Sequence, residues 1–307
     1  MKKQSVAIAV HGGAGEDSAF IKNNKEAYEA GLKEAILEGY AILQKGGSAL
    51  DAVTAAVISL ENNILFNAGR GSAFNNAGQV EMDASIMNGA DLKAGATAMV
   101  SNVKNPVVLA REIMTNTNHV FIAGKDADDF AKDRKLLLAE DSYFKTPHQQ
   151  EEYLKTKAES IEAKLKKVIK GTVGAVALDS AGNLASATST GGTPGSLPGR
   201  IGDSCIIGAG CYANNKTCAV SGTGDGEFLI TGVIAHSIAT VVELKALPLQ
   251  EACDYVVHQK NKDVQGDIGV ISINQKGDVG ISFNSERMHR AWIDLSGNLQ
   301  CEIYGHE

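Results

Sequence analysis

Gly171-Thr172-Val173-Gly174-Ala175-Val176-Ala177-Leu178, in one-letter form GTVGAVAL, decides how this chain is read. Its apolar run, with two valines, has the length and composition of a short buried strand. The segment before it is of opposite character. Residues 145–170 contain Glu151, Glu152, Lys155, Lys157, Glu159, Glu162, Lys164, Lys166, Lys167 and Lys170, against Leu154, Ile161, Leu165, Val168 and Ile169 as sizeable aliphatic residues. So polar a stretch buries little and reads as a mobile surface linker with helical potential. A threonine stands at the boundary between linker and strand.

Outward from that strand, residues 184–189 form its hairpin partner across Asp179-Ser180-Ala181-Gly182-Asn183. A second hairpin is expected from 205–213 and 217–221, and a third from 269–273 and 279–283 around a Lys276-Gly277-Asp278 turn. Helices over 226–244 and 249–259 lie between them. Upstream, a strand at 5–10 leads into a glycine-rich turn, His11-Gly12-Gly13-Ala14-Gly15, and then a helix over 23–45. Ser48 and Asp51 fit a capping box for a helix reaching residue 60. Strands at 79–88, 96–101 and 119–122, a helix from Pro106 and another near 127–132 complete that half. Hairpin strands with helices gathered before and after them predict an α+β class, antiparallel-rich sheets covered by helices. One domain spanning 1–307, interrupted by the linker at about 145–171, is expected.

The chain has 307 residues, a formal net charge of −7 and 33 glycines, more than the roughly 7% of average usage. An acidic balance excludes nucleic acid as a natural partner, because phosphates need a basic surface. Small molecules are the expected partners, with no membrane, since no stretch approaches the ~18 uninterrupted apolar residues of a span. The opening segment is too short for a signal-peptide core. Five cysteines, odd in number and without CxxC spacing, fit a reducing compartment, so a cytoplasmic location is expected. No H-E-x-x-H pair, zinc-spaced cluster or P-loop occurs, and His11-Gly12-Gly13 lacks the third glycine and acidic residue of a dinucleotide site. No organic cofactor is expected.

A threonine hydroxyl is a weak nucleophile unless a base lies beside it, and one solution is the residue's own α-amino group. That amine has an unperturbed pKa of roughly 7.7–8.0, suited to taking a proton near neutrality, but it exists only if the threonine is N-terminal. Gly171, without a side chain, lets the Thr172 hydroxyl approach its carbonyl, and attack there converts the peptide to an ester that water opens. Threonine also commonly starts strands, and GTVGAV alone is a weak signal. Its neighbourhood strengthens it. Downstream come Ala187-Thr188-Ser189-Thr190-Gly191-Gly192, then Pro198-Gly199-Arg200-Ile201-Gly202-Asp203-Ser204, then Ser221-Gly222-Thr223-Gly224-Asp225-Gly226-Glu227; upstream stand His11-Gly12-Gly13-Ala14-Gly15 and Phe66-Asn67-Ala68-Gly69. This ordered set resembles the plant-type L-asparaginase and isoaspartyl peptidase (β-aspartyl-peptidase) family of N-terminal-nucleophile hydrolases, from about residue 5 to about residue 295.

The resemblance implies a four-layer αββα sandwich, self-cleaved between Gly171 and Thr172 into an α subunit, 1–171, and a β subunit, 172–307. It implies a threonine amidohydrolase acting on L-asparagine and β-aspartyl dipeptides. Thr172 would be the nucleophile, Thr190 its orienting neighbour, and Thr223 with Gly224 the oxyanion hole. The substrate would be held by Arg200, Ile201, Gly202, Asp203, Thr223, Gly224, Asp225, Gly226 and Asn67; a guanidinium suits a carboxylate and a carboxylate an ammonium. A structural sodium would rest on backbone carbonyls of Leu60, Glu61, Asn63, Phe66, Ala68 and Arg70, and processed αβ units would pair into a homodimer. Two segments depart from the family pattern: Gln265-Gly266-Asp267-Ile268-Gly269, where glycines are usually denser, and Asn284-Ser285-Glu286-Arg287-Met288, with Arg287 where glycine is common. They bear on substrate preference. A glycosylasparaginase-like hydrolase and an uncleaved amino-acid-binding protein are the alternatives. The missing signal peptide, and glycine rather than aspartate before Thr172, argue against the first; the intact Thr172, Thr190, Arg200 and Thr223 set argues against the second.

Overall fold

The computed structural model describes residues 6–158, 171–263 and 265–305. Strand β5 (Val173–Leu178) forms where GTVGAVAL predicts it and is buried along its whole length. It pairs antiparallel with β6 (Leu184–Thr190) on one side and β1 (Ala7–Gly15) on the other. These belong to an eight-stranded sheet of order β12-β11-β1-β5-β6-β2-β3-β4, adding β2 (Met82–Asn88), β3 (Ala94–Val100), β4 (Phe121–Ala123), β11 (Arg287–Ile293) and β12 (Leu299–Tyr304). A second sheet has the order β10-β9-β8-β7, from β7 (Cys211–Ala213), β8 (Cys218–Gly224), β9 (Ile268–Asn274) and β10 (Val279–Phe283). All described pairings of named strands are antiparallel except β3 with β4. The fold is a mixed α and β protein of the α+β kind.

The helices are α1 (Ala19–Asn23), α2 (Lys25–Gln44), α3 (Ala49–Asn62), α4 (Pro106–Asn116), α5 (Lys125–Asp133), α6 (Asp141–Phe144), α7 (Pro147–Ala158), α8 (Gly226–Gly232), α9 (Ile234–Lys245) and α10 (Leu249–Asp254). The α3 start is the capping box read from sequence: Ser48 accepts the Asp51 N–H at 3.1 Å and donates its hydroxyl to the Asp51 carboxylate at 2.7 Å. Period-two alternation then assigns each face of β1 to a different core. Ile8 and Val10 join Leu32 and Ile36 of α2 and Val53 and Val57 of α3. Ala7 and Ala9 join Val176 and Leu178 of β5 and Ile271 and Ile273 of β9. A third core sets Val220 and Val270 against Ile238 of α9 and Cys253 of α10.

Several expectations are corrected. The glycine-rich segment His11–Gly15 is not a turn but the continuation of β1, carried past a register shift between His11 and Ala14. Residues 205–210 form no strand: Asp203–Cys205 is a 3₁₀ turn, Gly208 takes φ +94 and Ile207 makes only an isolated bridge to Cys211, so the strand is Cys211–Ala213. The helix expected over 226–244 is broken at Val233, which sits at φ 47, ψ 50. By length and composition alone Gly226–Lys245 is apolar enough to cross a membrane, although it is not an uninterrupted apolar run. Here Ile234, Ala235, Ile238 and Val241 are buried in the third core. The linker is ordered in its first part, where α7 buries Gln149 and lays its amide on the Gly71 carbonyl at 2.8 Å. Its residues 159–170 lie outside the described residues. Strands β11 and β12 are additions.

Candidate active site

Thr172 enters β5 in the middle of the large sheet, 6% exposed. Because β5 and β6 pair Val173 with Ser189, the next residue along β6, Thr190, falls beside Thr172. The Thr172 hydroxyl donates to Thr190 Oγ1 at 3.2 Å. Thr190 in turn donates to the Gly171 carbonyl oxygen at 3.3 Å and accepts the Gly192 N–H at 3.2 Å. The same Gly171 oxygen receives Asn67 Nδ2 at 2.8 Å, and that nitrogen also reaches the Gly192 carbonyl at 2.6 Å. Two donors therefore converge on the carbonyl that precedes the candidate nucleophile.

Behind it lies a buried polar relay that the sequence did not announce. His11 on β1 holds the Thr172 carbonyl through Nδ1 at 3.0 Å and Ser221 Oγ through Nε2 at 2.8 Å. Ser221 also meets Thr188 Oγ1 at 2.7 Å, and Thr188 donates to the Gly210 carbonyl at 3.0 Å. Burial pushes the His11 ring down to about 3, against the pull of the Thr172 backbone, so it is neutral at pH 7. Gly174 explains the second glycine of GTVG: a Cβ there would lie 2.0 Å from Ser221 Oγ and 2.4 Å from His11 Nε2.

A small cavity of about 10 Å³ is lined by Gly171, Thr172, Thr190, Arg200, Asp203, Gly224 and Gly226, among others. That is room for about one water molecule. Arg200 makes a bidentate pair with Glu227, 2.9 Å from Nε and 2.9 Å from Nη2, leaving Nη1 outside that fork. Asp203 is buried, which raises its carboxyl to about 7, with Asp83 adding to the rise and Arg200 opposing it. Its Oδ2 has no hydrogen-bond partner among the described residues. An anion-seeking and a cation-seeking group thus share one lining.

Of the other expected residues, Gly224 is on the wall of this cavity, while Thr223, Gly202, Ile201 and Asp225 lie around it. Thr223 is fully buried and accepts the Ala14 N–H at 3.3 Å, which leaves its own hydroxyl proton to donate elsewhere. Gly224 at φ +131 has no room for a side chain, since a Cβ would meet the Asp267 carbonyl at 2.2 Å. Gly202 gives its N–H to Asp83 at 3.1 Å, Ile201 packs with Cys205, and Asp225 receives the Asp267 N–H at 2.8 Å. Asp83, Glu227, His11 and Ser221 are members of the site that sequence reasoning missed. His11 had a visible signal in the strand-then-His-Gly-Gly pattern, Ser221 and Glu227 stand at the ends of the Ser221–Glu227 block, and Asp83 had none.

Among the described residues no group of three or more His, Cys, Asp and Glu side chains could hold a metal ion. The loop after α3 is different, because its oxygens are backbone ones. A Cβ at Gly69 would lie 2.4 Å from the Glu61 carbonyl and one at Gly71 2.1 Å from the Phe66 carbonyl. Leu60, Asn63, Phe66 and Ala68 carbonyls also turn within this loop to accept its N–H groups.

A family model described as asparaginase matches residues 4–303. The isoaspartyl peptidase of Salmonella typhimurium is 45% identical, covering 93% of this chain and 94% of that protein. The isoaspartyl peptidase of Escherichia coli is also 45% identical, over 93% of this chain and 92% of its own. The isoaspartyl peptidase/L-asparaginase of Mus musculus is 41% identical, over 97% and 91%. The matched span runs from β1 to β12 and so takes in every strand that positions Thr172, His11 and Asn67: this chain belongs to the asparaginase family.

Proposed function

We propose that the chain is an autoproteolytically activated threonine hydrolase that cuts itself between Gly171 and Thr172 and then hydrolyses L-asparagine and β-aspartyl dipeptides. The observation that carries this reading is the pair of donors, Asn67 Nδ2 and Thr190 Oγ1, on the Gly171 carbonyl oxygen, with the Thr172 hydroxyl alongside. In the first step Thr172 Oγ1 bonds to the Gly171 carbonyl carbon. Negative charge gathers on the oxygen that Asn67 and Thr190 already meet. The C–N bond breaks, its nitrogen takes the hydroxyl proton and becomes the free α-amine, and water opens the ester.

The freed amine is then the base for Thr172. Once Gly171 has left, the lining of the small cavity suits an aspartyl head, its carboxylate on Arg200 and its ammonium on the Asp203 carboxylate. Thr172 attacks the β-carbonyl, Thr223 and Gly224 hold the oxyanion, ammonia or an amino acid leaves, and water releases aspartate. Curated relatives named isoaspartyl peptidase and L-asparaginase support this substrate range.

The three cores support a four-layer αββα sandwich of the N-terminal-nucleophile type, with one core between the sheets and one under each helix group. All five cysteines are free, which supports a cytoplasmic setting. A structural sodium on backbone carbonyls of Leu60, Glu61, Asn63, Phe66, Ala68 and Arg70 would brace the loop that carries Asn67; the close approach of Gly69 to the Glu61 carbonyl and of Gly71 to the Phe66 carbonyl is compatible with it. The test is the intact mass of fresh protein followed over days beside Thr172→Ala. Two fragments meeting between Gly171 and Thr172 in wild type only are expected. A single stable 307-residue species in both would return the chain to the binding-protein reading.

A further inference from the structure

Gly171 lines a second cavity, of about 220 Å³, whose walls include Gly12, Tyr28, Asn67, Glu152, Arg287 and His289. At ~30 Å³ per water this has room for an amino acid. Its charges do not cancel. Lys155 and Glu152 line it and pair with each other at 2.9 Å. Burial pushes His148 and His289 down, so both are neutral near pH 7. What remains is the guanidinium of Arg287, 2% exposed and making no ion pair among the described residues. Burial holds the guanidinium below its ordinary value, with Tyr28, Asp17, Tyr304 and Asp267 opposing the shift and favouring its charge.

Arg287 Nη1 lies 3.1 Å from His289 Nδ1. A guanidinium only donates, so Nδ1 accepts and the ring proton is on Nε2. Arg287 Nε and His289 Nε2 are then two buried N–H donors, neither with a partner. The Gly13 backbone, which favours the charged ring, does not meet Nε2 in hydrogen-bonding geometry. Buried donors left unmatched are costly, most of all on a charged group, and a carboxylate in the cavity answers the one on Arg287.

The position is close to the chemistry. Arg287 pairs in register with Gly15, and His289 Cβ is 3.3 Å from a notional Cβ on Gly12. A notional Cβ on the next residue, Gly13, falls 2.8 Å from Gly171 Cα and 3.4 Å from Thr172 N. Gly171 lines both cavities, so its departure joins them across Thr172, with Arg200 and Asp203 at one end and Arg287 at the other.

We propose that Arg287, its guanidinium held from the far side by His289, receives the free α-carboxylate of the amino acid that leaves a β-aspartyl dipeptide, and so sets preference for leaving groups that carry one. This rests on Thr172 being the nucleophile. In the step concerned, the Thr172 Oγ1–carbon bond forms, the β-amide C–N bond breaks, and the hydroxyl proton passes through the α-amine to the leaving nitrogen. Arg287 takes no part in that exchange; it holds the leaving residue in line.

The test compares kcat/KM for β-aspartyl-leucine and for the same dipeptide with its carboxylate capped as an amide, using processed wild type, Arg287→Met and Arg287→Lys. Wild type is expected to prefer the free acid by about 30-fold, the worth of one buried charge partner. The ratio should fall to about 1–3 in Arg287→Met and stay high in Arg287→Lys. Equal rates on the two substrates in wild type, or an unchanged ratio in Arg287→Met, overturn the proposal. Should Arg287→Met not fold, the wild-type ratio decides. Asparagine, which carries no second residue, separates the two readings: wild type that hydrolyses neither asparagine nor dipeptide refutes the nucleophile itself.

Discussion

Asn67 directs one amide nitrogen at two carbonyls, Gly171 and Gly192, while its Oδ1 accepts the Ala73 N–H at 2.8 Å. Every polar atom of the side chain is engaged, so the amide is fixed before any charge develops on the Gly171 oxygen. Removing one such donor costs about 10²-fold in rate. Asn67→Ala is therefore expected to cleave between Gly171 and Thr172 about a hundred times more slowly, read as fragment masses over time; cleavage at the wild-type rate would remove Asn67 from the reaction. His11 carries a pH signature instead. Its folded pKa is pushed down to about 3, below the ordinary 6.5 of the unfolded chain. Between those values only the unfolded chain takes the proton, so the stability that neutral His11 contributes is present above 6.5 and lost as pH falls toward 3. In uncleaved Thr172→Ala protein, the stability gap between His11 and His11→Asn should shrink by a few kcal/mol from pH 7 to pH 4 in urea melts, the order of a shift of this size. A constant gap would mean His11 is not buried neutral.

Elements formed where local pattern was strong. GTVGAVAL, the Asp179–Asn183 turn and the Ser48 box each state their structure within a few residues, and each formed as read. Where competing signals were mixed, the reading missed. The glycines of His11–Gly15 look like a turn, yet pairing of His11 with β5 and β11, and of Ala14 and Gly15 with β11, holds the segment in a strand. Val233 looks like helix interior, yet it occupies the left-handed region between α8 and α9, a conformation that costs a β-branched residue roughly 1–2 kcal/mol. It is 45% exposed, so little packing is at stake. Val233→Asn is expected to raise stability by about 1 kcal/mol in chemical denaturation, because asparagine tolerates this geometry. A destabilised variant would show that the Val233 side chain packs more than its exposure implies.

At the scale of the whole molecule, the cavity that would take an aspartyl head measures about 10 Å³ while Gly171 is still joined to Thr172. No amino acid fits that space. Activity on asparagine is therefore expected to appear with a lag and to track the cleaved fraction, assayed by ammonia release beside mass spectrometry of the same samples. Full activity in wholly uncleaved protein would contradict a site opened by the loss of Gly171.

What the sequence by itself determined was the family, the candidate site residues and the elements that carry them. The step from a charged linker to a buried strand marks Thr172, and the ordered glycine and threonine blocks carry the family. Both are local features, set by spacing and side-chain type. What only the tertiary structure decided was who meets whom. Asn67 reaches Gly171 across 104 residues, and His11 reaches Thr172 across 161. Arg287 stands beside Gly15 only because β11 pairs with β1. A hydrogen bond between residues so far apart leaves no periodicity in either segment; it exists only when the sheet order brings two strands together, and that order is set by burying the apolar faces of the whole chain at once.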